Sequence, residues 1–231
     1  MILIYIALFL IALILFWHFT TRKYINPYIF VWLFGRKGSG KSTLLCKYAY
    51  DYLKKGYKVY STEKYKFDME DKKKRKIFTL ETEYIKPFDI PYYSFPPNSV
   101  IIVDEASLIW SNRDFAVKEM KNQLKAMAEF MQLQRRNKLI VIMASVTFEG
   151  VDKKIRDMCD ELYIVDKKLR VFSCAKRLIK KPIVVHPVGD APASITDDII
   201  SDPVIFYPFG GLKMTFIPKW IPFFSSYLVE D

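Results

Sequence analysis

A glycine-rich run near residue 40 carries the residue types that hold a phosphate chain. Its spacing matches the pattern G-x-x-x-x-G-K-[ST]. Glycines in such a run let successive backbone N–H groups turn toward an anion without Cβ clashes, and the following helix directs the positive end of its dipole at the same anion. The residues of the run are Gly35, Arg36, Lys37, Gly38, Ser39, Gly40, Lys41, Ser42 and Thr43. We expect them to bind ATP.

Two side chains of this run have separate expected roles. Lys41 is expected to bridge the β- and γ-phosphates in catalysis, and the Ser42 hydroxyl to bind Mg²⁺. The run also lies between a short apolar stretch, residues 29–34, and a stretch with apolar residues at helical spacing, residues 42–55, that ends at Gly56. A strand, a loop and a helix in that order are the context in which the pattern is informative.

An acidic pair follows another apolar run, "VIIV", at residues 100–103. Asp104 and Glu105 would stand where that strand ends, which is the edge of an open α/β sheet at which ligands bind. Asp104 is therefore the predicted second Mg²⁺ ligand, and Glu105 the predicted base that activates water.

Phosphoryl transfer also needs positive charge near the γ-phosphate. The chain offers four arginines outside the glycine-rich run as candidates: Arg113, Arg135, Arg136 and Arg156. We assign catalytic roles to Arg136 and Arg156, although each of the four could equally be a surface or ion-pair residue.

These groups must be positioned by alternating strands and helices. Continuous apolar runs predict strands at residues 29–34, 58–61, 100–103, 139–144 and 162–165, and helices are predicted at 42–55 and 115–137. Such alternation predicts an α/β fold, a P-loop NTPase with a mainly parallel sheet flanked by helices. Residues 63–98, rich in charge and then in proline, are expected to form an insertion with at most one strand.

The N-terminal segment, "MILIYIALFLIALILFW", lacks any charged residue. With two further residues it approaches the roughly 20 apolar residues that span a bilayer as a helix. Arg22 and Lys23 follow, which predicts a single-pass membrane helix with the rest of the chain in the cytoplasm. A cleaved signal peptide is the alternative, but no basic leader or small-x-small cleavage site is visible. The predicted division is 1–25 anchor and flank, 26–180 ATPase domain and 181–231 Pro-rich C-terminal extension.

Charge favours an anionic partner. The chain of 231 residues has 36 Lys and Arg against 25 Asp and Glu, a net charge of +11, which suits nucleic acid or an acidic membrane surface, or simply solvated lysine-rich faces. The basic stretch "KKKRK" at 72–76 could face phosphates or lipid head groups, or could be a solvated loop. Three scattered cysteines and two histidines indicate neither a disulfide framework nor a zinc site.

Several motifs in a fixed order carry a family resemblance. They are the glycine-rich run, "VIIVDEASLIW" with Trp110, "LQRRNK", "LIVIMAS", and "FEGVDKKIRDMCDELYIV", in which Asp152 stands four residues before Arg156. Together they resemble the zonular occludens toxin-like (Zot) family of filamentous phage assembly ATPases. The resemblance covers about residues 29–165.

That resemblance implies a P-loop ATPase in the host inner membrane, of the additional-strand type and related to FtsK/HerA-like DNA pumps. It further implies a homo-oligomeric ring that extrudes single-stranded phage DNA while coat or assembly proteins are added. The chain departs from the family in having Ser145-Val146-Thr147 where a polar sensor, often glutamine, is usual, and in carrying its membrane span before the ATPase domain. Two alternatives therefore stay open: a DNA packaging or transfer translocase, and a membrane scaffold that binds nucleotide without turnover.

Overall fold

Strands and helices alternate along the chain around one large sheet. The structure is a computed structural model that describes residues 2–21, 24–71, 76–111, 118–185, 194–202 and 211–223. Its α-helices are α1 (Ile2–Thr21), α2 (Lys41–Lys54), α3 (Ala106–Ile109), α4 (Lys118–Leu133) and α5 (Lys153–Arg156). Its strands are β1 (Phe30–Phe34), β2 (Lys58–Ser61), β3 (Lys66–Asp71), β4 (Lys76–Glu81), β5 (Glu83–Tyr84), β6 (Ser99–Val103), β7 (Ile140–Ser145), β8 (Glu161–Lys168), β9 (Phe172–Val185), β10 (Ser194–Ser201) and β11 (Leu212–Phe216). Short 3₁₀ helices cover Pro87–Tyr92, Ile217–Lys219 and Ile221–Phe223.

The sheet is parallel through its centre. Its strand order is β10-β9-β8-β1-β7-β6-β2-β5, with β11 also paired to β9. Every neighbouring pair from β8 to β5 is parallel, whereas β9 pairs antiparallel with β8, β10 and β11. The strand β7 lies between β1 and β6, which separates the strand before the glycine-rich run from the strand before Asp104. The predicted fold class, a P-loop NTPase fold with a mainly parallel sheet flanked by helices, is confirmed.

Each face of the sheet is covered by one of the two long helices of the sheet domain. Successive residues of a strand point to opposite faces, so Val31 and Leu33 pack under α2, and Phe30 and Trp32 pack under α4. All four side chains are at most 2 % exposed. Burial on both faces explains why these strands are apolar without interruption.

Residues 63–98 depart from the prediction of at most one strand. They form an antiparallel hairpin, β3 with β4, then the short strand β5 at the edge of the main sheet, and a 3₁₀ helix. The prediction was wrong because β3 (KFDMED) alternates charged and apolar residues, and a search for continuous apolar runs does not detect such a strand. Phe67, for example, is 1 % exposed.

The C-terminal part of the chain continues the main sheet. The boundary predicted at residues 180–181 falls inside β9, where Lys180 pairs with Ile199 and Lys181 with Asp198 of β10. The predicted helix at 115–137 is α4, followed by turns at 134–138, while residues 115–117 lie outside the described part. The basic stretch at 72–76 also lies outside it, apart from the backbone of Lys76.

The helix α1 stands apart from the sheet. Its residues Ile4–Thr21 have a mean hydropathy of 2.1, and none of that window is buried. The helix is long and apolar enough to cross a membrane, a property that signal sequences share.

Candidate nucleotide-binding site

The P-loop, residues 35–42, connects β1 to α2 and depends on two glycines for different reasons. A Cβ on Gly35 would overlap the backbone carbonyl oxygen of Val165 on β8, so a side chain is excluded by packing. Gly40 has a φ of +91°, which favours glycine, and a Cβ there would lie 2.7 Å from the Cβ of Ser173 on β9. The Ser173 hydroxyl also donates to the Gly40 carbonyl oxygen at 3.1 Å. The strands β8 and β9 therefore fix both ends of the loop.

The loop exposes some of its predicted ligands and buries others. Arg36, Lys37 and Gly38 are exposed, whereas Ser39, Lys41 and Thr43 are at most 5 % exposed. The Lys41 ammonium donates to the carbonyl oxygens of Gly35 at 2.9 Å and of Arg36 at 3.2 Å. Burial lowers the pKa of Lys41, and the nearby carboxylates of Glu105 and Asp104 oppose that shift. The amine is thus held inside the loop that is shaped to receive phosphates.

Asp104 meets the P-loop directly. The Ser42 hydroxyl donates to Asp104 Oδ2 at 2.7 Å, and the Glu105 backbone N–H donates to Asp104 Oδ1 at 2.9 Å. Burial raises the pKa of Asp104, although these two hydrogen bonds and the Lys41 charge lower it. A hydroxyl and a carboxylate in contact are the hard oxygen donors that Mg²⁺ prefers. The two side chains therefore fit the predicted metal.

Glu105 has an unusual backbone conformation beside this pair. Its φ of 52° lies in the left-handed region, which residues other than glycine, asparagine and aspartate seldom adopt. Burial and the neighbouring Asp104 carboxylate raise its pKa, while Lys41 and Lys37 lower it. A carboxylate with a raised pKa is suited to accept a proton near neutral pH.

Two residues after β2 belong to the site although the sequence analysis did not single them out. Thr62 Oγ1 accepts the Asp104 backbone N–H at 3.0 Å, and the Thr62 N–H donates to the Ile102 carbonyl oxygen at 3.0 Å. Burial and the Asp104 charge raise the pKa of Glu63. Both residues follow a predicted strand, which is where ligands bind in such sheets. They could not be assigned to the site from sequence because that required knowing that β2 pairs with β6.

The structure does not bring Arg136 to this P-loop. Arg136 precedes the first residue of β7, whereas the P-loop follows the last residue of β1, and the two strands are parallel. Its neighbour Arg135 forms an ion pair with Asp160, which also accepts the Phe30 N–H at the start of β1. Arg136 therefore lies at the opposite edge of the sheet from the P-loop. The Arg136 side chain is thus not part of the P-loop site in this chain, and its catalytic role stays a prediction.

Arg156 lies against an aromatic pair that includes the residue before the P-loop. Its guanidinium lies over the Phe148 ring at 5.1 Å, and that ring lies 5.8 Å from the ring of Phe34, the residue before the P-loop. The Arg156 Nε is buried without a hydrogen-bond partner among the described residues. Its catalytic role stays a prediction, and Arg113 lies outside the described residues.

The expected sensor position has a hydroxyl that is already engaged. Ser145, the last residue of β7, is fully buried. Its Oγ accepts the Trp32 indole N–H at 2.9 Å and donates to the Thr147 carbonyl oxygen at 2.8 Å. These bonds fix the end of β7 against β1, so Ser145 contributes to the site by positioning.

Comparison with known proteins gives a family and several similar structures. Residues 31–167 match the ATPase family associated with various cellular activities (AAA). No curated protein matches the chain. The chain is similar to the N-terminal domain of zonular occludens toxin from Neisseria meningitidis, with 18 % identity over 77 % of this chain and 96 % of that one and a TM-score of 0.41.

It is also similar to the genome packaging NTPase B204 from Sulfolobus turreted icosahedral virus 2 in complex with ATP-gammaS. The identity is 16 % over 63 % of this chain and 77 % of that one, with a TM-score of 0.42. The DNA-packaging ATPase B204 from Sulfolobus Turreted Icosahedral Virus gives 18 % identity over 62 % of this chain and 78 % of that one, with a TM-score of 0.41.

Proposed function

The chain belongs to the ATPase family associated with various cellular activities, and on that premise we propose that it is a membrane-anchored motor. In this proposal it hydrolyses ATP to drive the assembly and extrusion of filamentous phage, as single-stranded DNA, across the host membrane. The observation that carries the proposal is the 2.7 Å hydrogen bond between Ser42 Oγ and Asp104 Oδ2, because it joins the two motifs into one site.

The proposed chemistry assigns each side chain of the site a separate task. The amides of the P-loop and the Lys41 ammonium hold the phosphates, and Ser42 and Asp104 hold Mg²⁺. When bound, Mg²⁺ neutralises charge on the β- and γ-phosphate oxygens. Glu105 orients the attacking water and accepts its proton, for which its raised pKa is suited. Thr62 holds the Asp104 backbone in place.

The membrane part of the proposal is supported by α1. An apolar helix of 20 residues with no buried side chains in the window Ile4–Thr21 would be costly in water and is stable in a bilayer. Arg22 and Lys23 favour a cytoplasmic position for the remaining chain. We propose the host inner membrane as its location, with residues 1–25 as anchor and the remaining chain, in which β9 crosses the predicted boundary at 180–181, as the ATPase domain.

The DNA part is supported by charge and by the motif order that resembles the Zot family. A net charge of +11 suits a polyanion. We propose that the protein acts as a homo-oligomeric ring together with phage coat or assembly proteins.

The test is ATP turnover by the full chain in proteoliposomes. We expect turnover that rises several-fold when circular single-stranded DNA is added. Glu105→Gln should keep ATP affinity and abolish turnover, and Lys41→Ala should lose both. Lys121→Ala, an exposed position on α4, is the matched control and should behave as wild type.

Two results would overturn the proposal in different ways. Binding of ATP without turnover under any of these conditions would show a nucleotide-binding scaffold. Stimulation by double-stranded DNA alone would show a packaging or transfer translocase.

A further inference from the structure

A second cavity, of about 620 Å³, opens at the edge of the sheet opposite the P-loop. One wall is the segment 91–97, which begins in the last two residues of the 3₁₀ helix Pro87–Tyr92. The other wall is the C-terminal half of α4 and the turn 134–138. The cavity shares none of its lining residues with the nucleotide site, so both can be occupied at once.

One wall presents aromatic rings at the surface. Tyr92 is 64 % exposed and Tyr93 is 46 % exposed. The Tyr93 ring lies 4.7 Å from the Phe95 ring, which in turn lies 5.9 Å from the buried Phe130 of α4. Phe95 also contacts Tyr60 of β2 at 4.9 Å. The inner rings are therefore anchored in the core and hold Tyr93 as a platform that faces solvent.

The other wall presents cations on a fixed turn. Arg136 and Lys138 line the cavity, are exposed, and form no ion pair within the described residues. The turn is held by the Lys138 N–H, which donates to the Arg135 carbonyl oxygen at 3.1 Å, and by the Asn98 N–H, which donates to the Lys138 carbonyl oxygen at 2.9 Å. Glu129, the one acid of the lining, lies 3.8 Å from Lys125. The wall therefore offers unpaired positive charge.

We infer that this cavity binds single-stranded nucleic acid, with a base stacked on Tyr93 and a backbone phosphate held by Arg136 and Lys138. Each nucleotide of a single strand has a planar base next to an anionic phosphate. Proteins commonly bind single strands by stacking the bases on aromatic side chains and placing cations near the phosphates. Anionic lipid head groups would satisfy the cations but have no planar base for the ring. The inference rests on the proposed function, because it locates the nucleic acid of the motor.

The placement also suggests how the two sites communicate. The helix α4 is about 24 Å long, and its C-terminal half lines the cavity. The strand β7 starts beside the cavity and ends at Ser145, which is bonded to Trp32 of β1. The strand β7 therefore connects the cavity to the strand that precedes the P-loop.

The test is the affinity of the full chain, in detergent micelles, for a fluorescein-labelled oligothymidylate about 20 nucleotides long, measured by fluorescence anisotropy. We expect Tyr93→Ala to weaken binding about tenfold, and Tyr93→Phe, which keeps the ring, to bind within about twofold of wild type. Arg136→Ala should weaken binding and reduce the slope of log affinity against log salt by about 1. Tyr84→Ala and Lys121→Ala, exposed positions outside the cavity, are the matched aromatic and cationic controls.

Each outcome either supports or overturns the inference. Wild-type affinity in both Tyr93→Ala and Arg136→Ala would overturn it. So would an Arg136→Ala variant that keeps its oligonucleotide affinity but loses a preference for nanodiscs with phosphatidylglycerol over pure phosphatidylcholine, which would show a lipid contact. Fluorescent ATP analogue binding by Tyr93→Ala verifies that the variant is folded. Lys41→Ala should lose turnover yet keep nucleotide-free oligonucleotide binding, so failure of the motor and failure of this site are distinguishable.

Discussion

At the scale of single residues, the P-loop is shaped by the strands next to it as much as by its own sequence. Gly35 is needed because the carbonyl oxygen of Val165 occupies the space of a side chain, and Gly40 because of its φ and of Ser173. The motif alone explains neither neighbour. Both β8 and β9 contact the loop at these glycines. A shift of either strand would therefore move the phosphate site.

We predict that Gly35→Ala lowers the affinity for a fluorescent ATP analogue at least about tenfold and destabilises the fold by about 1–3 kcal/mol. The reason is overlap of the added Cβ with the backbone carbonyl oxygen of Val165, which no side-chain rotation relieves. Gly56→Ala is the matched control, since Gly56 also has a positive φ, of 83°, but no atom within 4 Å of a Cβ. It should lose about 1 kcal/mol of stability and keep its affinity. Equal affinity in both variants would contradict the packing argument.

Asp104 gives a pH-dependent prediction. Its pKa is raised in the folded chain, so the stability it contributes is present at acid pH and is lost as the pH rises through the folded pKa. At neutral pH the buried charge is therefore destabilising. Asp104→Asn, whose amide can still meet Ser42 and the Glu105 N–H, should raise Tm at pH 7 by on the order of 2–4 °C while abolishing turnover.

Calorimetry at two pH values checks this prediction. The gain in Tm should shrink at acid pH, below the raised pKa of Asp104, where the wild-type carboxyl is protonated. A gain of the same size at both pH values, or a loss at pH 7, would show that Asp104 does not destabilise the fold through its charge.

The sequence predicted the site where chemistry is local and failed where it depends on topology. Lys41 and Ser42 meet Asp104 because the P-loop follows β1, Asp104 follows β6, and these parallel strands end at the same edge of the sheet. Arg136 lies away from the P-loop because it precedes β7, whereas the P-loop follows β1, and the sequence did not show that these two strands are parallel neighbours. Thr62 was missed because only the pairing of β2 with β6 brings it to Asp104.

At the scale of elements, burial decides which strands were visible in the sequence. The strands β1, β6 and β7 are buried throughout or nearly so, and each is a continuous apolar run. The hairpin β3–β4 and the antiparallel strands β9–β11 carry many charged residues and were not predicted. Their structure comes from cross-strand pairing and from one apolar face, which a search for continuous apolar runs does not detect.

The hairpin gives a prediction about stability. Phe67 of β3 contacts Tyr50 of α2 at 5.4 Å, Phe223 at 5.2 Å and Trp220 at 6.4 Å, so one ring joins three separate elements. Phe67→Ala should lower the free energy of unfolding by about 3–5 kcal/mol in urea titrations. Lys66→Ala, its exposed neighbour, should change stability by less than about 0.5 kcal/mol. A small effect of Phe67→Ala would mean that the hairpin is not part of the core.

At the scale of the whole molecule, the sheet separates the nucleotide site from the aromatic and cationic cavity. The nucleotide site lies at the carboxyl ends of β1 and β6. The aromatic and cationic cavity lies at the opposite edge, beside the amino ends of β6 and β7. The helix α1 precedes β1 and so is connected to that same opposite edge, where the Tyr28 hydroxyl bonds to Asn98 at 2.5 Å.

The role of α1 gives the last prediction. Ile11→Lys places a charge at the middle of the helix, where insertion into a bilayer costs about 2.5–3.5 kcal/mol. The full chain should then be extracted from membranes by alkaline carbonate, whereas wild type should resist extraction. Ile25→Lys, exposed but outside α1, is the control and should resist as well. Resistance of Ile11→Lys would show that α1 does not span the membrane.

The polarity of β1 has a consequence for how reactants and products reach the molecule. Five residues separate the start of β1 from the P-loop, a distance of about 17 Å. In the proposed protein, anchored in a membrane by α1, ATP and ADP would exchange at the P-loop, on the side of the sheet away from the bilayer. The nucleic acid would bind at the cavity, on the side next to the bilayer. Nucleotide exchange would then not require release of the nucleic acid.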